Sequence, residues 1–428
     1  MNTMLYTYYG DDFTGSTDVL ETLAEAGIPS ALFFQPPTEG DLREFPDLQA
    51  LGIAGDSRSR SPEWMTENLP GIFTALQQFG APITHYKTCS TFDSASHIGS
   101  IGRAIELGIE TFEPRFVPIV AAAPHLGRYV VFGQLFATAD GVVYRIDRHP
   151  TMSRHPVTPM HEADLRRHLA AQTSLPIALL DINHLTPAAL ENSLTGHRVV
   201  LFDALDERSL SELGGLLWHH AGKHAVFAVG SSGLTRSLVS AWRSAGLLAA
   251  SQVAHAVPST EQLLVVSGSC SPITAAQIEW GLANGFAGIT LDPGDLLNRT
   301  AAFDPVLNSS LAHLQAGRNL ILYSALGPLA SSSIPCDAEL GSLLGRLLQS
   351  LFEQSQLRRA VLCGGDTASH AMQQLDIRAL TWLAPVAPGA PLCRAHSPGT
   401  RFHHAEFILK GGQMGPPDFF ARALGVAS

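Results

Sequence analysis

From Leu5 to Lys410 the chain repeats one device. A short run of aliphatic, β-branched or aromatic residues ends in a turn of glycine, serine or aspartate, and helical spacing of apolar residues follows. Leu5–Tyr9 leads into Gly10–Asp18, Gln262–Val266 into Ser267–Pro272, and Ala360–Leu362 into Cys363–Ala368. Alternating strands and helices imply α/β architecture with a mostly parallel sheet. At 428 residues the chain exceeds what one core usually organises, so two domains are the default. Residues 244–261 are small, polar and without aromatics, which predicts domains at 1–250 and 260–428. Each is expected to be a mostly parallel sheet flanked by helices, with an interdomain cleft.

Composition narrows the partners. A hydrophobic content of 45% against 15% charged residues describes a globular chain with ample core. The net charge of −11 argues against nucleic acid or an anionic membrane. Small anions stay open, because local arginines can outweigh the overall sign. The five cysteines are dispersed, and no CxxC pair indicates a zinc site or a disulfide framework. Residues 1–10 lack a basic segment followed by an apolar one, and no apolar run reaches membrane length, so a soluble cytosolic protein is expected.

The carboxyl ends of strands in open α/β sheets bind ligands, which makes the turns informative. At the first, Gly10 and Gly15 permit close backbone approach, while Asp11 and Asp12 can accept hydroxyl hydrogen bonds or take a proton. The competing reading is an Asp-rich turn capped by Ser16 or Thr17, before a helix over Val19–Ala26. Arg58 and Arg60 alternate with serines after Leu51–Gly55, a pattern suited to carboxylate or phosphate. Lys87, followed by Thr88, Ser90 and Thr91, repeats that logic after Ile83–Tyr86. Residues 143–158 collect Arg145, Asp147, Arg148, His149, Arg154 and His155, without metal-binding spacing; a polar, ligand-facing or interdomain loop is expected. His219, His220 and His224 fall at a helix end, where the dipole favours a cation.

The second half offers three small-residue turns, at 267–271, 364–367 and 410–415. None matches a Walker P-loop, and no GxGxxG occurs. Jointly they describe a phosphate cradle opening onto helix N-termini, with Lys410 available for phosphate charge. A serine hydrolase would need G-x-S-x-G, which Gly268-Ser269-Cys270 does not supply. A nucleotide domain beside a domain for a hydroxylated acid fits phosphoryl transfer, whose catalysis is mainly positioning and charge stabilisation.

Five ordered motifs carry a resemblance: Gly10-Asp11-Asp12-Phe13-Thr14-Gly15, Ser267-Gly268-Ser269, Gly364-Gly365-Asp366-Thr367, Pro388-Gly389-Ala390-Pro391 and Leu409-Lys410-Gly411-Gly412. Together they resemble the four-carbon acid sugar kinase family, over essentially the whole chain. The resemblance implies an amino-terminal sugar-acid domain, a carboxyl-terminal nucleotide domain, and ATP-dependent phosphorylation of a terminal hydroxyl. By that match Asp11, Asp12, Arg58, Arg60 and Lys87, with the neighbouring Ser90 and Thr91, fall to the acid. Ser267, Ser269, Gly364, Gly365, Asp366, Thr367, Gly411 and Gly412 fall to ATP, with Asp366 the carboxylate for Mg2+, directly or through water. Asp12 is expected to be the catalytic base and Asp11 to orient substrate hydroxyls. A homo-oligomer is compatible with this reading.

The chain also departs from the family pattern. Where members commonly carry Lys-x-Asp-Ser-Thr-Leu-Arg-Gly, this chain has Lys87-Thr88-Cys89-Ser90-Thr91-Phe92-Asp93-Ser94. The changed charge of the acid pocket leaves the acid open among a 3-oxo-tetronate, a tetronate and a branched relative such as 3-oxo-isoapionate, which a kinase of the same family uses. Two alternatives remain: a non-catalytic sugar-acid-binding protein, and a nicotinamide-dependent oxidoreductase, the latter disfavoured by the missing dinucleotide fingerprint.

Overall fold

The computed structural model describes residues 4–139, 141–155, 157–248, 256–298, 302–327 and 338–425. Much of the expected boundary, 249–255, lies outside these residues, as does Cys336. The chain forms two compact units. One holds Met1–Asp11, Thr22–Ser30 and Thr38–Gln252; the other holds Asp12–Glu21, Ala31–Pro37 and Val253–Ser428. The division therefore falls between the two adjacent aspartates of the first turn.

The first strands are β1 (Tyr6–Gly10), β2 (Ser30–Phe33), β3 (Ala50–Ala54), β4 (Ile83–Lys87), β5 (Val117–Val120) and β6 (Arg128–Val131). They are followed by β7 (Gln134–Ala139), β8 (Val142–Arg145), β9 (Ile177–Leu180), β10 (Val199–Phe202) and β11 (Val226–Gly230). In the first unit the sheet order is β3-β1-β4-β11-β5-β10-β9, every pair parallel. The aromatic run of β1 explains its central position. Tyr6, Tyr8 and Tyr9 are fully buried, Tyr9 stacks on Tyr86 at 5.7 Å, and Tyr6 Oη meets His85 Nδ1 at 2.6 Å. Gly52 and Gly55 make room for these rings, since a Cβ at either would fall within about 2 Å of Tyr8 Cζ or Tyr9 Oη.

The register aligns strand ends. Gly10 pairs with Ala54 and Lys87, Lys87 with Gly230, and Gly230 with Val120. The backbone ladder continues one step beyond: Asp11 N donates to Lys87 O, Thr88 N to Gly230 O, and Ser231 N to Val120 O. Four neighbouring strands thus deliver their turns to one edge.

Strands β12 (Leu264–Ser267), β13 (Ala287–Thr290), β14 (Leu320–Tyr323), β15 (Arg359–Cys363), β16 (Ala379–Ala387), β17 (Ala390–His396) and β18 (Glu406–Lys410) build the second unit. Its order is β13-β14-β12-β15-β18-β17-β16-β2, parallel as far as β18 and antiparallel beyond. Its core includes Val265, Ile278, Ile321, Val361, Ile408 and Phe420. Buried Arg359 grips Glu406 at 2.6 Å and donates to Ala423 O at 2.7 Å, so its charge is paired.

The architecture is α/β with two units, as the alternation predicts. Local details differ. The first helix runs Phe13–Glu25, six residues earlier than apolar spacing indicates. Asp12, not Ser16 or Thr17, caps it: Gly15 N donates to Asp12 Oδ1 at 2.8 Å, while the Ser16 and Thr17 hydroxyls donate to the carbonyls of Asp12 and Thr14. Strand β6 belongs to a separate antiparallel sheet, β6-β7-β8, whose last two strands have no clear signal in the sequence. His220, expected as a helix-end cation, is pushed down to about 4 by burial first and then by neighbouring His224 and Arg115. It is neutral at physiological pH and packs edge-on to Phe116 at 4.8 Å, so the dipole does not explain it.

Candidate functional site

The carboxyl edge of the first unit holds the residues expected to meet an acid. Asp11 follows β1 and accepts the Arg58 backbone N–H at 3.1 Å through its carbonyl. Arg60 is engaged with Asp56, through Nε at 2.9 Å and Nη2 at 2.5 Å, and its guanidinium lies 5.2 Å from the Trp64 ring centre. Arg58 Nη2 contacts Asp93 Oδ2 at 2.7 Å. The turn after β4 is tightly built. Thr91 donates to Asp93, Phe92 adopts a left-handed φ of 55°, and Ser90 and Thr91 are buried. Thr158 also donates to Asp93 and contacts His155 Nδ1 at 3.0 Å, which brings part of the His-rich loop onto this turn. The same loop is folded by His149, whose Nδ1 accepts the Thr151 and Met152 N–H groups at 3.2 Å each.

A second group at this edge joins the expected Lys87 to residues that have no counterpart among the expected ones. Lys87 is buried and donates to Thr88 O at 2.8 Å. Lys87, Arg128 and Arg236 all act on His125 as charged neighbours. Burial pushes the His125 ring down to about 3, helped by Arg236, Arg128 and Lys87. Both His125 ring nitrogens, Arg128 Nε, Arg236 Nε, Ser232 Oγ and Thr88 Oγ1 are buried without a hydrogen-bond partner.

In the second unit, three turns converge because β12, β15 and β18 are neighbours. Gly268 N donates to Cys363 O at 3.2 Å, and Gly364 N to Lys410 O at 2.9 Å. A Cβ on Gly268 would lie 2.3 Å from Thr367 Oγ1, and one on Gly412 would lie 2.8 Å from Ser269 Oγ. Gly364 has φ of 111°, open only to glycine, and its Cα faces Ser269 N. Glycine is thus required at each turn, leaving backbone N–H groups at the start of the helices Pro272–Ala283 and Gly365–Met372. Asp366 lies in the first turn of the latter, whose N-cap position is Gly364. Ser267 is buried, and Gly411 closes the third turn by accepting Met414 N through its carbonyl.

Lys410 differs from expectation. Its Nζ donates to Thr274 Oγ1 at 3.0 Å, Gly411 O at 3.0 Å and Met414 O at 3.3 Å, and burial lowers its pKa. All three protons fasten the 410–415 turn, so it shapes the cradle and has none left for phosphate.

Asp12 sits in this unit. Its Oδ2 accepts Thr14 Oγ1 at 2.6 Å and would lie 3.4 Å from a Cβ on Gly365, while Phe13 N donates to Ser369 Oγ at 3.2 Å. The carboxylate of the first turn therefore stands beside the second glycine turn.

Residues 6–238 match the family model for a sugar-binding N-terminal domain, and residues 264–420 match that for a nucleotide-binding C-terminal domain. The chain is 43% identical to a 3-oxo-isoapionate kinase of Paraburkholderia graminis, covering 97% of this chain and 93% of that protein. It belongs to the four-carbon acid sugar kinase family. A second member, a 3-oxo-tetronate kinase of Pectobacterium atrosepticum, is 30% identical over 96% of this chain and 97% of its own. A crystal structure from Salmonella typhimurium LT2 shares the fold, with a TM-score of 0.77 at 24% identity over 98% of both chains. Within this family member, Asp12 and the three glycine turns come together, as do Asp11, Arg58, Lys87, Ser90 and Thr91 at the other sheet edge. His125, Arg128, Ser232 and Arg236 escaped sequence reasoning. The only available signal was the position of Ser232 in the turn after Ala225–Val229, since the three basic groups form no motif.

Proposed function

We propose that this chain is an ATP-dependent kinase that phosphorylates a terminal hydroxyl of a small sugar acid, with 3-oxo-isoapionate as the favoured class. The convergence of three glycine turns beside Asp12 is the observation that carries this reading. Residues 1–250 take the acid and residues 260–428 the nucleotide, the latter unit completed by residues 12–21 and 31–37. The crowded cradle at Gly268, Gly364 and Gly412 fits a phosphate chain, because backbone N–H groups there can approach oxygens that a side chain would block. Ser267, Ser269, Gly365, Thr367 and Gly411 line the same turns.

Among the described residues no group of three or more His, Cys, Asp or Glu could hold a metal ion. Magnesium needs no such cage, since one or two carboxylates with water and phosphate oxygens suffice. Asp366, the acidic residue in the first turn of the helix Gly365–Met372, is the residue we assign to it. Bound magnesium would offset charge on the transferring phosphoryl group.

Asp12 serves as general base. Its hydrogen bonds from Gly15 N and Thr14 Oγ1 fix the carboxylate, and a carboxylate held beside the phosphate turn is the group suited to take the hydroxyl proton. Asp11, Lys87, Ser90 and Thr91 bind the acid, with Arg58 and Arg60 supporting the turn through Asp93 and Asp56. Asp93 and Cys89 give this turn a charge pattern different from the common family motif, and the 43% identity to a 3-oxo-isoapionate kinase supports the branched class. A coupled ADP-release assay across tetronates, 3-oxo-tetronates and 3-oxo-isoapionate tests the reading. Release that depends on one acid supports it; acid binding without turnover favours a binding protein.

A further inference from the structure

We propose that Lys87, Thr88, His125, Arg128, Ser232 and Arg236 form the subsite that receives the carboxylate of the sugar acid, an inference that rests on the proposed function. These residues come from three neighbouring strand ends. Lys87 ends β4 and Thr88 follows it; His125 lies in the turn after β5, and Arg128 opens β6, bridged back to Ala123; Ser232 and Arg236 follow β11 in the helix Ser232–Ser244. The register that pairs Gly230 with both Lys87 and Val120 brings the three ends together. Backbone proximity is extreme at this point, since a Cβ on Gly233 would lie 1.9 Å from Ala122 O.

The hydrogen-bonding state of the cluster argues for a ligand. Buried polar atoms in folded proteins nearly always have partners, and each orphan costs about 1–3 kcal/mol. Six such atoms lie on five residues of these strand ends. Ser232 is 1% exposed and Thr88 fully buried, so water at the surface does not serve them. The charges that act on His125, from Arg236, Arg128 and Lys87, are all positive. Desolvated like charges repel unless an anion joins them. By contrast, Arg58 and Arg60 are already neutralised by Asp93 and Asp56. The unpaired group, not the paired arginines, is the one suited to a substrate carboxylate. Guanidinium groups fit it bidentately, Ser232 and Thr88 add hydroxyl donors, and the N-terminus of Ser232–Ser244 adds its dipole. Neutral His125 contributes one N–H and one lone pair, which suits a hydroxyl next to the carboxylate.

The test uses the full chain, with 3-oxo-isoapionate and 3-oxo-tetronate as probes and their neutral polyol analogues and inorganic phosphate as controls. Arg236→Met and Arg128→Met should raise the Kd and KM for the acids roughly 10–100-fold, the loss of one charge-assisted bond, with kcat within a few-fold and ADP affinity unchanged. Arg236→Lys should recover part of the loss. Ser232→Ala removes a hydroxyl that bonds nothing, so the thermal midpoint should hold while acid KM rises several-fold. The neutral polyols should not bind. Wild-type turnover with unaltered acid affinity in Arg236→Met and Ser232→Ala overturns the subsite and leaves the kinase reading intact. Phosphate or polyol binding as tight as acid binding overturns the carboxylate assignment. Absence of turnover with every acid counts against the kinase reading instead.

Discussion

Asp93 Oδ2 lies 2.7 Å from Arg58 Nη2, and the same carboxylate accepts hydrogen bonds from Thr91 and Thr158. Burial alone would raise the Asp93 carboxyl, but Arg58, His155 and Thr91 outweigh it and hold it far below its usual 3.8. A depressed carboxyl stabilises the fold above the unfolded-state pKa, and the gain is lost as pH falls below it. Asp93→Ala should therefore cost about 3 kcal/mol near neutrality, the low end for a buried pair because Arg58 is partly exposed. Its stability should also fall less steeply than that of the wild type below about pH 4. Urea unfolding at both pH values decides this; equal stability near neutrality contradicts it.

Gly268→Ala introduces a Cβ where Thr367 Oγ1 stands 2.3 Å away. The two turns must separate, so ADP with magnesium should bind about tenfold or more weakly by isothermal titration, a loss of ~1.4 kcal/mol. Unchanged affinity would put the nucleotide elsewhere.

Asp12→Asn keeps a good helix cap while removing the basic oxygen. Turnover should drop by roughly two to four orders of magnitude, with acid KM and thermal midpoint near wild type. Intact turnover with weakened acid binding would make Asp12 a binding group only.

The sequence disclosed the strand ends better than it disclosed the chemistry between them. β4 is legible because Ile83–Lys87 is an extended run punctuated by hydroxyls. The first helix starts early because Asp12 caps it through its own carboxylate, whereas apolar periodicity begins only at Val19. β8 exposes Val142 and Val143 side by side, and β7 sets Phe136 between buried Leu135 and Ala137, so apolar/polar alternation in the sequence is weak. Lys410 looks like a phosphate ligand among glycines, and only its three acceptors reveal a scaffold role. His125, Arg128 and Arg236 are legible only through the sheet register that joins β4, β11 and β5.

His85 supplies a pH-dependent term from the core. Its ring contacts Tyr6 Oη and Gly230 O at 2.6 and 3.0 Å, and burial pushes it down to about 3. Between that value and the unfolded-state value of 6.5 the unfolded chain binds the extra proton, so stability falls as pH drops through this window. The expected slope from His85 is about 1.4 kcal/mol per pH unit. Denaturation midpoints measured at about pH 7.5 and pH 5 should differ less in His85→Gln than in the wild type. An unchanged difference would show that His85 does not titrate on unfolding.

The central claim is transfer of a phosphoryl group to a sugar acid, and phosphorus NMR of the reaction mixture tests it most directly. With ATP, magnesium and 3-oxo-isoapionate, the γ-phosphate signal should disappear as a phosphomonoester of the acid grows in step with ADP, and Asp12→Asn should stop both. If ATP persists unchanged with every sugar acid, or yields only inorganic phosphate, the kinase account is wrong.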